Sequence, residues 1–157
     1  MSRVVLPLDV LFVSSSGGHL TEVLEWLPHF QDLRWRLVLN APGDVPPHVA
    51  PRVIRIAHGE RDWRVAWNLV EAWRVLRRHP PRLVVSPGAG CAVPFAFLAR
   101  LLAIPYVHVE PRSAVRRPTL TGRLVRPFAR RTIVQWSTLR HALPRATCHE
   151  TAPTSSS

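Results

Sequence analysis

Six short runs rich in apolar and β-branched residues alternate along this chain with longer stretches of helical period. The runs are Val10–Ser14, Trp35–Leu39, and residues 53–56, 83–86, 106–110 and 132–136. Helical patterns are expected over 19–30, 62–78, 93–103 and 120–130. Alternation of this kind predicts an α/β domain: a Rossmann-like, mostly parallel sheet with helices on both faces. The runs are continuously apolar, as buried parallel strands are. Hydrophobic residues make up 46% of the 157, enough for one domain with a packed core. The folded domain is expected over residues 1–147, and a Thr/Pro/Ser-rich tail over 148–157 is expected to be disordered.

Open sheets of this class bind ligands outside the carboxyl ends of their strands. Three sequence features reach that edge. The first is Ser14-Ser15-Ser16-Gly17-Gly18-His19, between the first strand and its helix. Glycine permits positive φ and close backbone approach, and a helix start offers free N–H groups to an anion such as a diphosphate. His19 adds a hydrogen-bond donor or a proton-transfer group. A tight turn capped by serines and a satisfied histidine would read the same way. The second is Ser86-Pro87-Gly88-Ala89-Gly90, which repeats the device after another strand and reads equally as a plain strand-to-helix turn. The third is His108-Val109-Glu110-Pro111-Arg112, where a strand-end carboxylate suits either a hydroxyl proton or an ion pair with an arginine. No P-loop and no complete Gly-x-Gly-x-x-Gly is present.

The net charge is +11, and all 21 basic residues are arginine. Such a surface favours anionic partners. Along residues 61–78, Val65, Ala66, Leu69, Ala72, Trp73 and Leu76 share one helical face, and Arg64, Asn68, Glu71, Arg74 and Arg78 the other. Trp63 and Trp67 border the basic face, so Trp63, Arg64, Trp67, Arg74 and Arg78 suit contact with an anionic membrane surface. An ordinary amphipathic helix packed on the sheet fits the pattern too. No RNA-binding motif accompanies the arginines, so no nucleic-acid partner is expected. Cys91 and Cys148 match no metal-ligand spacing, and no metal is expected. No stretch reaches the roughly 18–20 apolar residues of a spanning helix.

The segments VSSSGGHLTEVL, SPGAGCAVPFAFLARLL and VEPRSAVRRPTLTGRLVRPFARRTIVQW, with the later Leu-Pro-Arg-Ala, resemble the acceptor-side subunits of split glycosyltransferases. The resemblance spans about residues 9–147. It extends to the exopolysaccharide proteins called PssD- or EpsE-like, and to the anchor subunit of the eukaryotic enzyme that adds the second N-acetylglucosamine to a dolichol-linked sugar. The N-terminal half of MurG-type peptidoglycan transferases is similar as well. The resemblance implies half of a GT-B enzyme, peripheral on the cytoplasmic face of the membrane. It would have no cofactor, and a partner subunit would bind most of the UDP-sugar donor. The acceptor it implies is a polyprenyl-diphosphate-linked sugar, held by Ser16, Gly17, Gly18, His19, Gly88, Gly90, Arg112 and Thr121. It makes His19 and Glu110 the catalytic residues. Where MurG-type chains read His-Glu-Gln-Asn, Pro111 and Arg112 take the last two places. A scaffold that only recruits a catalytic subunit is the alternative, and a basic nucleic-acid-binding domain a more remote one.

Overall fold

The computed structural model describes residues 7–40, 43–56, 64–143 and 145–148, and for 64–67 the backbone alone. The expected tail falls largely outside these residues, as does Trp63. The described strands are β1 (Val10–Ser14), β2 (Trp35–Leu39), β3 (Val53–Arg55), β4 (Val84–Ser86), β5 (Tyr106–Val109), β6 (Arg131–Val134) and β7 (Thr147–Cys148). They form one sheet in the order β3-β2-β1-β4-β5-β6-β7, and every pairing is parallel. The order of construction reverses between β1 and β4, which opens a crevice beyond their carboxyl ends. The two-residue strand β7 was not anticipated, being too short to carry a pattern.

The helices are α1 (Gly18–Trp26), α2 (Arg64–Arg78), α3 (Ala92–Leu101) and α4 (Leu120–Val125). Side chains alternate along β1 as a two-residue period requires. Val10 and Phe12 pack with Leu20 and Val23 of α1, and Leu11 and Val13 pack with Ala72 and Leu76 of α2 and Phe95 of α3. So α1 covers one face of the sheet, and α2, α3 and α4 cover the other.

Prolines end two helices earlier than the apolar period suggests. Helix α1 tightens into a 3₁₀ turn at Leu27–Phe30, which holds Pro28. Helix α4 stops at Val125, two residues before Pro127, rather than running to residue 130. Helix α3 ends differently. Ala103, at φ +56, donates to Arg100 O at 3.3 Å, and Ile104 donates to Ala99 O at 2.8 Å. This is a Schellman cap with alanine in the position that glycine usually fills.

The rotation of α2 differs from the one its sequence suggests. Asn68, Ala72, Val75 and Leu76 form the buried stripe, whereas Trp73 is 39% exposed and Val70 41%. Asn68 therefore faces inward and Trp73 outward, the reverse of the expectation. Ala72 is small enough to let α2 approach its neighbour, which the bulk of Trp73 would prevent. The guanidinium of Arg77 lies over the indole of Trp73, 5.4 Å from the ring centroid.

Candidate functional site

The site is built where β1, β4 and β5 end. Beyond β1 the serine hydroxyls turn back on the chain: Ser14 Oγ donates to Ser15 O at 2.9 Å and Ser15 Oγ to Ser16 O at 3.3 Å. Neither caps α1. The chain then turns at Gly17, whose φ of +81° suits glycine alone, and α1 begins with no side-chain cap on its N–H groups. The serine-capped turn is thereby set aside. Ser16 packs beside Gly43 of the loop after β2.

His19 lies in the first turn of α1, half-buried, and its Nδ1 has no hydrogen-bond partner. Burial draws its pKa below the ordinary imidazole value, against the opposing charge of Glu22. It is therefore a neutral imidazole at pH 7, able to take up a proton.

The end of β4 is fastened to β1 through Ser86. Its buried hydroxyl donates to Val13 O at 2.6 Å and accepts from the Gly88 N–H at 3.1 Å. Gly88 has φ +118° and is the point where three elements meet. A Cβ placed there would lie 3.5 Å from His108 Cε1, 3.8 Å from His19 Cε1 and 3.8 Å from Thr121 Cβ. Gly18 and Gly90, by contrast, face open space.

His108 and Glu110 are two residues apart at the end of β5, on one face, and neither is exposed to solvent. Glu110 Oε2 accepts the Thr119 N–H at 3.1 Å, at the start of α4. Glu110 Oε1 lies 3.4 Å from His108 Nε2 without a made hydrogen bond. Burial pushes the carboxyl pKa up, but His108 and the Thr119 N–H outweigh it and hold the pKa below its ordinary value. No arginine pairs with Glu110 among the described residues, so the ion-pair alternative does not hold. Its burial also means that the carboxylate does not open directly onto the edge of the sheet.

Arg112 is turned away from the crevice. Its guanidinium donates to Glu25 of α1 and, through Nε, to Gln135 Oε1 at 3.3 Å. Its backbone N–H donates to Glu22 Oε1 at 2.9 Å, and its carbonyl accepts from Trp136 Nε1 at 2.7 Å. Gln135 donates to Glu22 Oε2 at 2.9 Å and to Glu110 O at 3.0 Å. Arg112 thus braces the loop after β5 against α1, with its charge matched by Glu25.

The fold brings His19, Gly88, Thr121 and Glu110 together, with Ser16, Gly17 and Gly18 at the lip, while Gly90 and Arg112 stand outside. Sequence reasoning passed over His108, Glu22, Gln135 and Gly122. The signal for His108 was its two-residue spacing from Glu110, and for Glu22 its three-residue spacing from His19 on a helix. Of the expected membrane residues, Arg74 and Arg78 are exposed on α2. The side chains of Arg64 and Trp67 lie outside the description. Among the described residues no helix is long and apolar enough to cross a membrane.

Comparison with known proteins agrees with this architecture. The chain is 25% identical over 170 residues to the "UDP-N-acetylglucosamine transferase subunit ALG14" of Yarrowia lipolytica, covering 89% of this chain and 79% of the relative. A segment covering 45% of the chain is 40% identical to 18% of the Xylella fastidiosa enzyme named UDP-N-acetylglucosamine–N-acetylmuramyl-(pentapeptide) pyrophosphoryl-undecaprenol N-acetylglucosamine transferase. The crystal structure of Acinetobacter baumannii MurG superposes with a TM-score of 0.69 at 16% identity, over 93% of this chain and 47% of that one. The fold is therefore Rossmann-like, of the kind that makes up half of a GT-B enzyme. The family described as "Oligosaccharide biosynthesis protein Alg14 like" matches residues 52–151, a span that holds Gly88, His108, Glu110 and Gly122. By that match over most of its length, and by a fold to suit, this chain belongs to the Alg14-like family of oligosaccharide biosynthesis proteins.

Proposed function

We propose that the chain is the acceptor-side, membrane-associated subunit of a two-part UDP-sugar glycosyltransferase. It extends a polyprenyl-diphosphate-linked sugar in exopolysaccharide or capsule assembly, and a partner subunit carries the donor site. One observation carries the reading. His19 Nδ1 and His108 Nδ1 are buried without hydrogen-bond partners, around Gly88 and beside an uncapped helix start, while His108 Nε2 meets Glu110 Oε1 only at 3.4 Å. Buried polar atoms are normally paired, so a cluster of unpaired ones at a switch-point crevice suits a polar ligand.

The chemistry follows from the placement. The first-turn N–H groups of α1 hold the acceptor diphosphate, where the helix dipole favours negative charge. Neutral His19 accepts the proton of the attacking sugar hydroxyl as its oxygen bonds to the anomeric carbon of the donor. The bond from that carbon to UDP breaks, and UDP leaves with the electron pair. Glu110 acts from behind, as a negative charge that favours the positive charge developing on His19 and offsets the opposing effect of His108 beside it. The names of the relatives make UDP-N-acetylglucosamine the first donor to try.

Membrane contact is supported by apolar side chains left uncovered on the outer helices: Trp73 of α2, Phe97 and Leu101 of α3, and Leu120 and Leu124 of α4. Exposed Arg74, Arg77, Arg100 and Arg123 stand among them. Apolar side chains edged with arginine suit the interface of an anionic bilayer.

The test is sugar transfer by the chain with its candidate partner, supplied with membranes and labelled UDP-sugars. Transfer that needs both chains, and is lost in His19→Ala, is the expected result. Full activity in His19→Ala would remove His19 from the mechanism. Co-fractionation of the pair on membranes without transfer would favour a recruiting scaffold.

A further inference from the structure

We propose that a groove at the amino-terminal edge of β6 and β7 is a second anion site, one that takes phosphoryl groups. Its volume is about 600 Å³, within the roughly 300–1,000 Å³ range of small-molecule sites. Arg126 and Arg130 reach it from the end of α4 and the segment beyond, Arg131 from the first residue of β6, and Arg145 from just before β7. All four arginines are exposed, and among the described residues none is paired with a carboxylate. Four like charges around one concavity repel one another, and a multivalent anion relieves that repulsion.

The lining narrows the ligand class. Thr132 and Thr147 add hydroxyls, while Ala129, Leu143 and Ala146 supply small apolar surface. Among the described residues that line it there is no aromatic ring to stack on a base and no carboxylate to hold ribose hydroxyls. What remains is guanidinium, whose planar fork matches phosphoryl oxygens. The groove therefore selects phosphate charge over a nucleoside. A smaller cavity of about 310 Å³ shares Arg130 and is lined by Arg100 and Phe128. The Phe128 ring meets Phe97 of the exposed α3 surface edge-on, with centroids 5.6 Å apart. The phosphoryl group can therefore belong to a soluble diphosphate or to a lipid headgroup lying against that surface.

This site does not depend on the acceptor reading. Arg131 and Thr147 begin their strands, whereas Gly88 and Glu110 follow the ends of theirs, so the two regions occupy opposite edges of the sheet.

The experiment titrates the purified full chain with inorganic pyrophosphate at low salt by calorimetry. It is paired with co-sedimentation on phosphatidylglycerol and on phosphatidylcholine vesicles. Arg130→Gln/Arg145→Gln is compared with the charge-matched Arg116→Gln/Arg117→Gln and with His19→Ala, each checked for an unchanged melting curve. The expected result is a saturable component of binding that is weakened at least tenfold in the groove variant, less than twofold in the Arg116/Arg117 variant, and retained in His19→Ala even if a separate component at the start of α1 is lost there. Binding to phosphatidylglycerol vesicles alone, with the same ranking of variants, supports the site and makes the headgroup its source. The proposal is overturned by no saturable binding to either probe, by equal weakening in the two arginine variants, or by loss in His19→Ala with retention in the groove variant.

Discussion

Glu110 and His108 leave β5 on the same face, with Oε1 and Nε2 3.4 Å apart, and the backbone of Gly122 lies directly over both. The third residue of α4 is therefore the lid of the buried pair. A Cβ on Gly122 would fall well inside the van der Waals contact distance of the Glu110 carboxylate and 2.9 Å from His108 Nε2. Gly122→Ala is expected to displace α4 or the carboxylate, at a cost of about 1–3 kcal/mol by overpacking. Urea unfolding measures that cost. A variant as stable as the parent would mean that α4 does not hold the pair in place.

Two groups at the site make folding depend on pH in the same direction. The folded pKa of Glu110 lies below its ordinary value, so its contribution is full above the unfolded pKa and is lost as pH falls through the folded one. The folded pKa of His19 also lies below its ordinary value of 6.5. The unfolded chain then binds the proton first, so His19 contributes nothing above that value and opposes folding increasingly below it. Stability should fall on acidification from pH 7 to 5.5, and His19→Asn should fall less. Equal slopes for the two proteins over that range would contradict the burial assigned to His19.

The adjacent glycines of the first loop are predicted to differ. Gly17 has φ +81°, whereas Gly18 is the first residue of α1 with nothing within 4 Å of an added Cβ. Gly17→Ala should destabilise by about 1–3 kcal/mol, the cost of placing an L-residue in a backbone region essentially confined to glycine. Gly18→Ala should be neutral or stabilising by a few tenths of a kcal/mol, on the order expected from reduced freedom of the unfolded chain. Thermal melts of the two single variants distinguish these outcomes, and similar losses in both would reject the assignment.

Ala103 offers a gain instead. It holds the left-handed cap of α3 at φ +56°, with a Cβ that glycine would lack. Relief of about 1–2 kcal/mol is partly offset by the added freedom of glycine in the unfolded chain. Ala103→Gly should therefore raise stability by about 0.5–1 kcal/mol, read as a higher urea midpoint at unchanged slope. An unchanged or lower midpoint would show that the cap carries no strain.

Much of the frame was legible in local pattern. Strands β1 and β2 begin and end where their apolar runs do, because a buried parallel strand needs apolar side chains on both faces and stops where they stop. The Gly-rich turns after β1 and β4 were legible as well, since Gly17 and Gly88 occupy backbone conformations that other residues avoid. Arg112 was not. Its place in the motif suggested an anion ligand, but Glu25, 87 residues earlier in the chain, holds its guanidinium. Trp73 was misplaced for a related reason. Apolar residues run more than halfway around α2, so period alone does not choose which stripe meets the sheet.

The sequence by itself determined the class of fold and the two glycine turns, because each depends on residues close together in the chain. Only the tertiary structure decided that His19, His108, Glu110 and Gly122 converge, that Glu22 and Gln135 brace the loop between them, and that four arginines ring one groove. Those relations join α1, β5, α4 and β6 across the sheet. They are set by strand order and by how closely the helices can pack, quantities that no single stretch of the chain encodes.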